Sequence, residues 1–151
     1  MGDRTQGPKD VISLSSDDYF ETEAFLVLFR KGMSLVEETA AYIGGDGKSE
    51  SRALTQDLSL RYSVTSMQLT ARVMKAMSWL LLMRGRGAGE ITDETVRIEK
   101  AGTNFADPPE TPEDVLKSGL PERLVELIRA SHELRKKILE LDARFFPPTM
   151  H

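Results

Sequence analysis

A chain of 151 residues, 40% of them hydrophobic, is the size of one ordinary domain and can bury a single core. It has no cysteine, which excludes disulfides, thiolate metal sites and thiol nucleophiles and favours a reducing compartment, by default the cytoplasm. Its net charge of -4 has the wrong sign for a protein whose main partner is nucleic acid.

No part of the sequence has the pattern of an export signal or a membrane segment. Residues 1–16 contain three isolated apolar side chains, Val11, Ile12 and Leu14, too few for the apolar region of a secretory signal. The longest apolar run, residues 24–29, is six residues long, whereas about 20 are needed to cross a bilayer. We therefore expect neither secretion nor a membrane partner.

Apolar residues recur at steps of three and four, which predicts helices and no sheet. The first helix is expected to begin near Ser15 or Ser16, whose hydroxyls can cap its free amides, and to end at Gly44 and Gly45. Its predicted buried stripe consists of Phe25, Leu28, Phe29, Met33, Val36, Ala40 and Ile43.

The second helix is predicted to be the longest. Neither glycine nor proline interrupts residues 48–84, so one helix from Ser49 to Arg86 would span about 57 Å at about 1.5 Å per residue. Gly85, Gly87 and Gly89 follow and end it. Its predicted core stripe is Leu54, Leu58, Tyr62, Thr65, Leu69, Val73, Ala76, Leu80 and Met83.

The connector from Gly85 to Gly119 is too long for a bare loop and carries its own helix signals. Thr92 and the Thr111-Pro112 pair each precede acidic residues, which predicts two short helices with a turn at residues 107–109 between them. The last helix is expected to begin at Pro121. Its predicted stripe is Leu124, Leu127, Ile128, Ser131, Leu134, Ile138, Leu141 and Phe145.

These elements predict an all-α protein, a three-helix bundle with one long central helix and short helices in the connector between helices two and three. Residues 16–146 would form the single domain, between a flexible N-terminal segment, residues 1–15, and a short flexible C-terminal end, residues 147–151.

The predicted second helix is too long for its neighbours to cover. The first and last helices, each about 40 Å long, leave residues 76–86 beyond their reach. These residues are apolar on every side rather than along one stripe, so something else must bury them. The candidates are residues 11–14, the connector helices or a second copy of the chain.

A second apolar line also follows this helix. It could pack in the core, because the middle helix of a bundle needs two buried faces, or it could contact a second copy or another partner. The candidate interface residues, on this line and at the uncovered end, are Leu60, Val64, Met67, Ala71, Met74, Met77, Trp79, Leu81 and Leu82.

Several features suggest a phosphate-binding, metal or catalytic site, but none of them has the residues that such a site needs. Residues 45–49 end like a phosphate-binding loop, but Tyr42 stands where that loop needs its first glycine, and a helix precedes it instead of a strand. His132 has Arg129 where a di-iron bundle needs a glutamate. No carboxylate falls at an enclosed position by periodicity. We therefore expect no enzymatic activity, no metal and no cofactor.

Basic side chains concentrate in the middle of the chain. Residues 48–86 carry seven basic and two acidic side chains, which most simply indicates attraction to the acidic segments on either side. The alternative is a nucleic-acid or small-anion binder that uses the basic face of the long helix, Lys48, Arg52, Arg61, Arg72 and Lys75. An enzyme alternative would be a helical dimer in which Arg61, Arg72 and Arg84 clamp an anionic metabolite.

Three segments, FRKGMSLVEETAAYI (29–43), YSVTSMQLTARVMKAMSWLLLM (62–83) and GEITDETVRIEK (89–100), resemble the regulator-of-CtrA-degradation family of alphaproteobacteria. Residues 120–142 are also similar. The resemblance covers roughly residues 25–145 and places the family signature in the long helix, at Tyr62, Ser66, Met67, Leu69, Thr70, Trp79 and Leu80.

The resemblance implies a three-helix bundle that forms a homodimer and acts as an adaptor in regulated proteolysis. Such adaptors help deliver cell-cycle substrates to the ClpXP protease together with response-regulator-like co-adaptors. The partners implied are thus the protease ATPase, a co-adaptor and client regulators. The family adaptor continues into a flexible tail that helps delivery, whereas this chain stops five residues after Phe146, which puts the delivery step in doubt.

Overall fold

A computed structural model describes residues 19–147, which are helical with no strand. The predictions for residues 1–15, for a cap at Ser15 or Ser16 and for residues 148–151 lie outside the described residues. The predicted all-α fold is confirmed. The helices are α1 (Glu23–Gly44), α2 (Asp46–Arg52), α3 (Gln56–Gly87), α4 (Asp93–Ala101), α5 (Glu113–Leu116) and α6 (Glu122–Phe145).

The long helices α3 and α6 run parallel to each other. Arg72 Nη1 donates to Ser131 Oγ at 3.0 Å, and seven residues farther along α3 Trp79 Nε1 donates to Asp142 Oδ1 at 2.9 Å. A later residue of α3 thus contacts a later residue of α6, which means that the two helices point in the same direction. The connector must accordingly return along the bundle before α6 begins.

The helix α1 runs antiparallel to α6. Glu38, near the end of α1, pairs with Arg123 at the start of α6 at 3.0 Å. At the opposite end, the Tyr19 ring just before α1 stacks on Phe145, with centroids 5.2 Å apart. The start of α1 and the ends of α3 and α6 consequently meet at one end of the bundle.

The predicted start of the second helix is wrong. The segment from Ser49 belongs to a separate short helix, α2, and α3 begins only after Thr55, whose hydroxyl accepts a hydrogen bond from Leu58 N at 3.3 Å. Tyr42 at the end of α1 donates to Glu50 at 2.7 Å and fixes α2 across the turn. With 32 residues, α3 is about 48 Å long at about 1.5 Å per residue.

The buried face of α1 departs from the predicted stripe after Phe29. Gly32 and Leu35 are buried, whereas Met33 is exposed. A Cβ on Gly32 would lie 2.4 Å from Leu80 Cδ1, so the two helices pack closely at this glycine, which faces the core. Residues that the prediction placed outside the stripe are buried here: Gly32, Leu35, Thr39 and Tyr42.

The stripes of the other two long helices are confirmed from Tyr62 to Met83 on α3 and from Leu124 to Leu141 on α6. In the connector, Thr92 caps α4 as predicted and accepts from Thr95 N at 3.1 Å. Thr111 does not cap α5. It is buried, and its backbone N–H donates to His132 Nε2 at 3.1 Å.

The end of α3 that its neighbours were expected to leave bare is covered within the chain. Trp79 is fully buried, and Phe20 packs edge-on against it at 5.8 Å between centroids. Phe146, just after α6, stacks on Phe20, and Ile91 from the connector closes over Gly85. Aromatic residues before α1 and at the end of α6, together with the connector, thus bury this end.

Candidate protein-binding surface

One apolar line on α3 remains uncovered. Leu60 is 68% exposed and Met67 71% exposed, and Val64, Met74 and Leu81 are exposed as well. A leucine or methionine that loses its contact with water contributes about 1.5–3 kcal/mol. We call this set the α3 line: Leu60, Val64, Met67, Ala71, Met74 and Leu81.

The spacing of the α3 line is that of a coiled-coil seam. Its members follow one another at steps of four and three, with Ser78 filling the place between Met74 and Leu81. Two apolar positions in every seven form a narrow stripe that suits another helix. The buried face of α3, around Leu69 and Leu80, lies on the opposite side. The line therefore points away from the core.

Two predicted interface residues are not at the surface. Met77 and Trp79 are buried within the chain, and the Trp79 indole N–H is bonded to Asp142. Their place in the core corrects the prediction that they contact a partner, because the aromatic residues around Phe20 cover them. Leu82 is half-buried.

Two hydroxyls on one flank of the α3 line are already bonded within the helix. Ser63 Oγ donates to Ser59 O at 3.2 Å, and Thr70 Oγ1 donates to Ser66 O at 3.0 Å. Covering hydroxyls that keep their hydrogen bonds costs little, whereas covering unpaired ones would be expensive. The flank of the line is therefore compatible with burial against another protein.

The basic residues predicted to form one face of the long helix do not lie together. Arg72 is buried, and Lys75 Nζ donates to the backbone oxygens of Asn104 and Asp107 at 3.0 and 2.8 Å. Arg84 lies over the Phe29 ring at 4.6 Å. The predicted clamp of Arg61, Arg72 and Arg84 consequently does not converge on one site.

Arg72 and Arg135 instead hold the connector against the bundle. Arg72 Nη2 donates to Pro109 O at 2.9 Å, and Arg135 Nη1 donates to the backbone oxygens of Ala106 and Pro108. Burial, and then the neighbouring Arg135, lower the pKa of Arg72 to about 10. The sequence signal for this role was weak: a charged residue adjoining Val73 on an otherwise apolar face.

His132 completes the attachment of the connector. Its Nε2 accepts from Thr111 N, which requires that nitrogen to be unprotonated. Burial first, and the positive charges of Arg72, Arg135 and Arg129, lower the pKa of His132, which the nearby Glu110 partly opposes. The histidine thus works as a neutral hydrogen-bond acceptor near neutral pH.

Within residues 19–147, no three histidine, aspartate or glutamate side chains are grouped so that they could hold a metal ion. No helix in that range is both long enough and apolar enough to cross a bilayer.

The fold and this surface define the class of protein. It is a helical bundle whose longest helix has two apolar faces, one buried in the core and one exposed to solvent. The chain belongs to the family described as "Protein of unknown function (DUF1465)", which matches residues 16–151. Among solved structures it is similar to RcdA, regulator of CtrA degradation, from Caulobacter crescentus CB15. The match has 33% identity and a TM-score of 0.70 over 88% of this chain and 99% of that chain.

Comparison with curated proteins finds no match. The resemblance predicted from the helix sequences is confirmed by the similarity to RcdA, which extends over the whole bundle.

Proposed function

We propose that this chain is a non-enzymatic adaptor of regulated proteolysis that acts as a homodimer in the cytoplasm. It binds protein partners and helps deliver cell-cycle regulators to the ClpXP protease. The observation that carries the proposal is the α3 line, an open helix-binding surface in a chain 33% identical to RcdA.

The composition of the α3 line favours a second copy as its partner. Met67 and Met74 lie on either side of the small Ala71, and Leu60 and Leu81 lie at the two ends. Under a two-fold axis near Ala71, Met67 of one chain would face Met74 of the other, Leu60 would face Leu81, and Val64 would face the small Ser78. The line can therefore pair with its own copy, as an isologous dimer requires. Ala71 at the centre allows two helices to approach closely, and the flexible methionines can fill the remaining space.

The dimer is tested by Met67→Asp. An aspartate at the centre of a closed apolar seam would be buried without a partner, so we expect the mass measured by light scattering to fall to that of one chain. The matched control is Ile98→Asp on α4, since Ile98 is 55% exposed and lies away from the α3 line. Retention of the dimer by Met67→Asp, with unchanged circular dichroism, would rule out this interface.

Delivery is tested in cells and with purified components. We expect the half-lives of one or more cell-cycle regulators to lengthen when the gene is deleted and to recover with the wild-type chain. Purified chain should likewise accelerate degradation of the same regulator by ClpXP. If every half-life stays unchanged and degradation by the purified protease is not accelerated, the chain is not an adaptor, whatever its oligomeric state.

A nucleic-acid or anion-binding function is not proposed. Of the five basic residues that would carry it, Arg72 is buried and Lys75 is bonded to backbone oxygens of the connector. Lys48, Arg52 and Arg61 remain exposed but are divided between α2 and α3.

A further inference from the structure

One segment of the connector is bonded to α3 and α6 through its backbone. We call residues 104–111 the strap. Three basic side chains of the two long helices, Arg72, Lys75 and Arg135, donate to its backbone oxygens, which belong to Asn104, Ala106, Asp107, Pro108 and Pro109. In the other direction, the backbone N–H of Thr111 donates to His132 Nε2 at 3.1 Å. The face between α3 and α6 thus bonds to both the donors and the acceptors of a non-helical backbone.

Most side chains of the strap are in solvent. Five of its eight residues are exposed, namely Asn104, Ala106, Asp107, Pro109 and Glu110. Phe105 and Pro108 are half-buried, Thr111 is buried, and Phe105 packs against the core. A segment with few buried apolar contacts opens at a lower free energy than the helices beneath it. The strap can therefore leave this face while the three long helices stay folded.

The guanidinium groups beneath the strap are not bonded to any carboxylate. Arg72 is almost fully buried, and it donates only to the neutral oxygens of Ser131 and Pro109, while its Nε has no hydrogen-bond partner. Arg135 likewise donates only to backbone oxygens. Hydrogen bonds from a guanidinium to a carboxylate are about twice as strong as those between neutral groups. The strap therefore does not supply the strongest acceptors that these donors can have.

The carboxylates that act on this face belong to the strap itself. Asp107 Oδ2 lies 3.8 Å from Lys75 Nζ. Burial lowers the pKa of Arg135, and the negative charges of Glu110 and then Asp107 partly oppose this effect. The acids at the edges are offset by other basic residues: Glu113 pairs with Arg129 at 2.7 Å, and Glu140 lies one turn from Lys136 on α6. The resident segment is thus acidic, and the face that holds it is basic.

We propose that the face formed by Arg72, Lys75, Arg135 and His132 is a binding site for a non-helical, acidic segment of a partner protein, and that the strap occupies this site within the chain. The strap indicates what the site accepts, which is backbone oxygens at the three cations, one backbone N–H at His132, and carboxylates alongside. A partner segment that brings a carboxylate to a guanidinium gains a bond that the strap does not make. It has to displace the strap, whose tether gives an effective concentration in the millimolar range. This inference does not depend on the proposed role in proteolysis or on the α3 line, which includes none of these residues.

The strap itself supplies the probe. A fluorescently labelled peptide with the sequence of residues 103–112, TNFADPPETP, is titrated into the full chain and followed by anisotropy. Because Phe105 anchors the resident strap, we expect the chain with Phe105→Ser to bind the peptide at least about tenfold more tightly than the wild type does. Ile98→Ser is the matched control, since it removes an exposed apolar side chain of α4 outside the strap, and it should bind like the wild type. A second peptide with Asp107→Asn and Glu110→Gln should bind about fivefold more weakly at low salt.

Displacement of the strap is followed in the wild-type chain at the amide of Thr111. Excess peptide should speed the hydrogen exchange of this amide, because the peptide then takes its acceptor, His132. The amide of Leu69, in the buried face of α3, should keep its rate. Sodium chloride at matched ionic strength controls for the charge of the peptide.

The proposal fails if Phe105→Ser binds the peptide no more tightly than the wild type, or if the peptide leaves the exchange of the Thr111 amide unchanged. Equal binding of the peptide without the two carboxylates would show that the site does not select acidic segments, which contradicts the proposal as stated. Circular dichroism verifies that Phe105→Ser keeps the bundle, and the exchange measurement on the wild-type chain decides the matter even if it does not. Each of these failures would leave the tests of the dimer and of delivery unaffected.

Discussion

Trp79 is a core residue whose burial could not be predicted from the sequence around it. In the sequence it lies in a run that is apolar on every side, so periodicity cannot assign it to the core or to a partner. In the fold it is fully buried, and its indole N–H and the ammonium of Lys100 both reach Asp142 Oδ1, at 2.9 and 2.8 Å. The residues that cover it precede α1 and follow α6, where no helical pattern signals them.

Truncation of this side chain is expected to cost stability. Trp79→Ala should lower the free energy of unfolding by about 3–5 kcal/mol, because it empties a close-packed site and leaves Asp142 short of a donor. Urea unfolding monitored by circular dichroism measures the change. Ser78→Ala, an exposed neighbour on the same helix, should stay within about 0.5 kcal/mol of the wild type. A similar small effect for Trp79→Ala would place this side chain outside the core.

Gly32 is a second residue whose role could not be predicted from the sequence, because a glycine inside a helix is normally expected only to destabilise it. Gly32→Ala would bring a Cβ to 2.4 Å from Leu80 Cδ1, and Leu80 is fully buried and cannot move aside freely. We expect a loss of about 1–3 kcal/mol in thermal or urea unfolding. Gly44→Ala is the control, since nothing lies within 4 Å of its Cβ, and it should be neutral or stabilising. Equal effects would contradict close approach at Gly32.

At the scale of elements, the buried face of α3 could be predicted where its apolar periodicity is continuous. Its start and its exposed face could not, because tertiary contacts determine them. The core stripe from Tyr62 to Met83 could be read from the sequence. The start of the helix could not, because the residues after Ser49 are acceptable helix formers and the break depends on Thr55 and on the Tyr42–Glu50 bond. The exposed α3 line was visible as a pattern, but which of two apolar faces stays open depends on where α1 and α6 pack.

The connector is held in part by side chains of α3 and α6 that bond to its backbone. Arg72, Arg135 and Lys75 donate to its backbone oxygens, so these three attachments do not depend on which side chains the connector carries. The alternative interpretation of the sequence placed Arg72 and Lys75 on a solvated basic face, because charged residues are normally solvated. Arg72 can be buried because neutral oxygens of the connector and Ser131 accept its hydrogen bonds.

The attachment of the connector should weaken in acid. Because the folded-state pKa of His132 lies below its usual value, the neutral form contributes stability that is present above about pH 6.5. That stability is lost as the pH falls through the lowered pKa, since a protonated Nε2 cannot accept from Thr111 N. Hydrogen exchange of the Thr111 amide at stepwise lower pH should show earlier opening than the helices do.

A variant at His132 separates the effect of this histidine on acid stability from that of the carboxylates, which also become protonated in acid. His132→Gln keeps an acceptor oxygen but has no charge change, so its stability between about pH 7 and about pH 5 should fall less steeply than that of the wild type. Parallel pH curves for the two proteins would show that His132 has no part in acid sensitivity.

At the scale of the whole molecule, the all-helical class and the three long helices followed from the sequence, whereas the separate helix α2 did not. The similarity to RcdA extends over the complete bundle. The parallel arrangement of α3 and α6 did not follow, because amphipathic stripes define which faces are buried but not the direction of each helix. The long connector was the available signal, since a parallel neighbour needs a return crossing.

The two candidate functions differ in their response to salt. The members of the α3 line are themselves uncharged, so the dissociation constant of the proposed dimer should change less than about threefold between about 0.05 and about 0.5 M salt. Sedimentation velocity at both concentrations measures this. Nucleic-acid binding, in contrast, would weaken steeply over the same range. A dimer that dissociates at high salt would place charged pairs, not the apolar line, at the interface.

The meeting of Tyr19 and Phe145 at one end of the bundle has a consequence for rearranging the gene. Because the first and last described helices have their outer ends side by side, a short linker can join them, and new termini can be opened in the connector near Gly102, which is exposed. Such a circular permutant keeps every helix pair of the bundle. It also places both new termini on the connector, outside the three long helices.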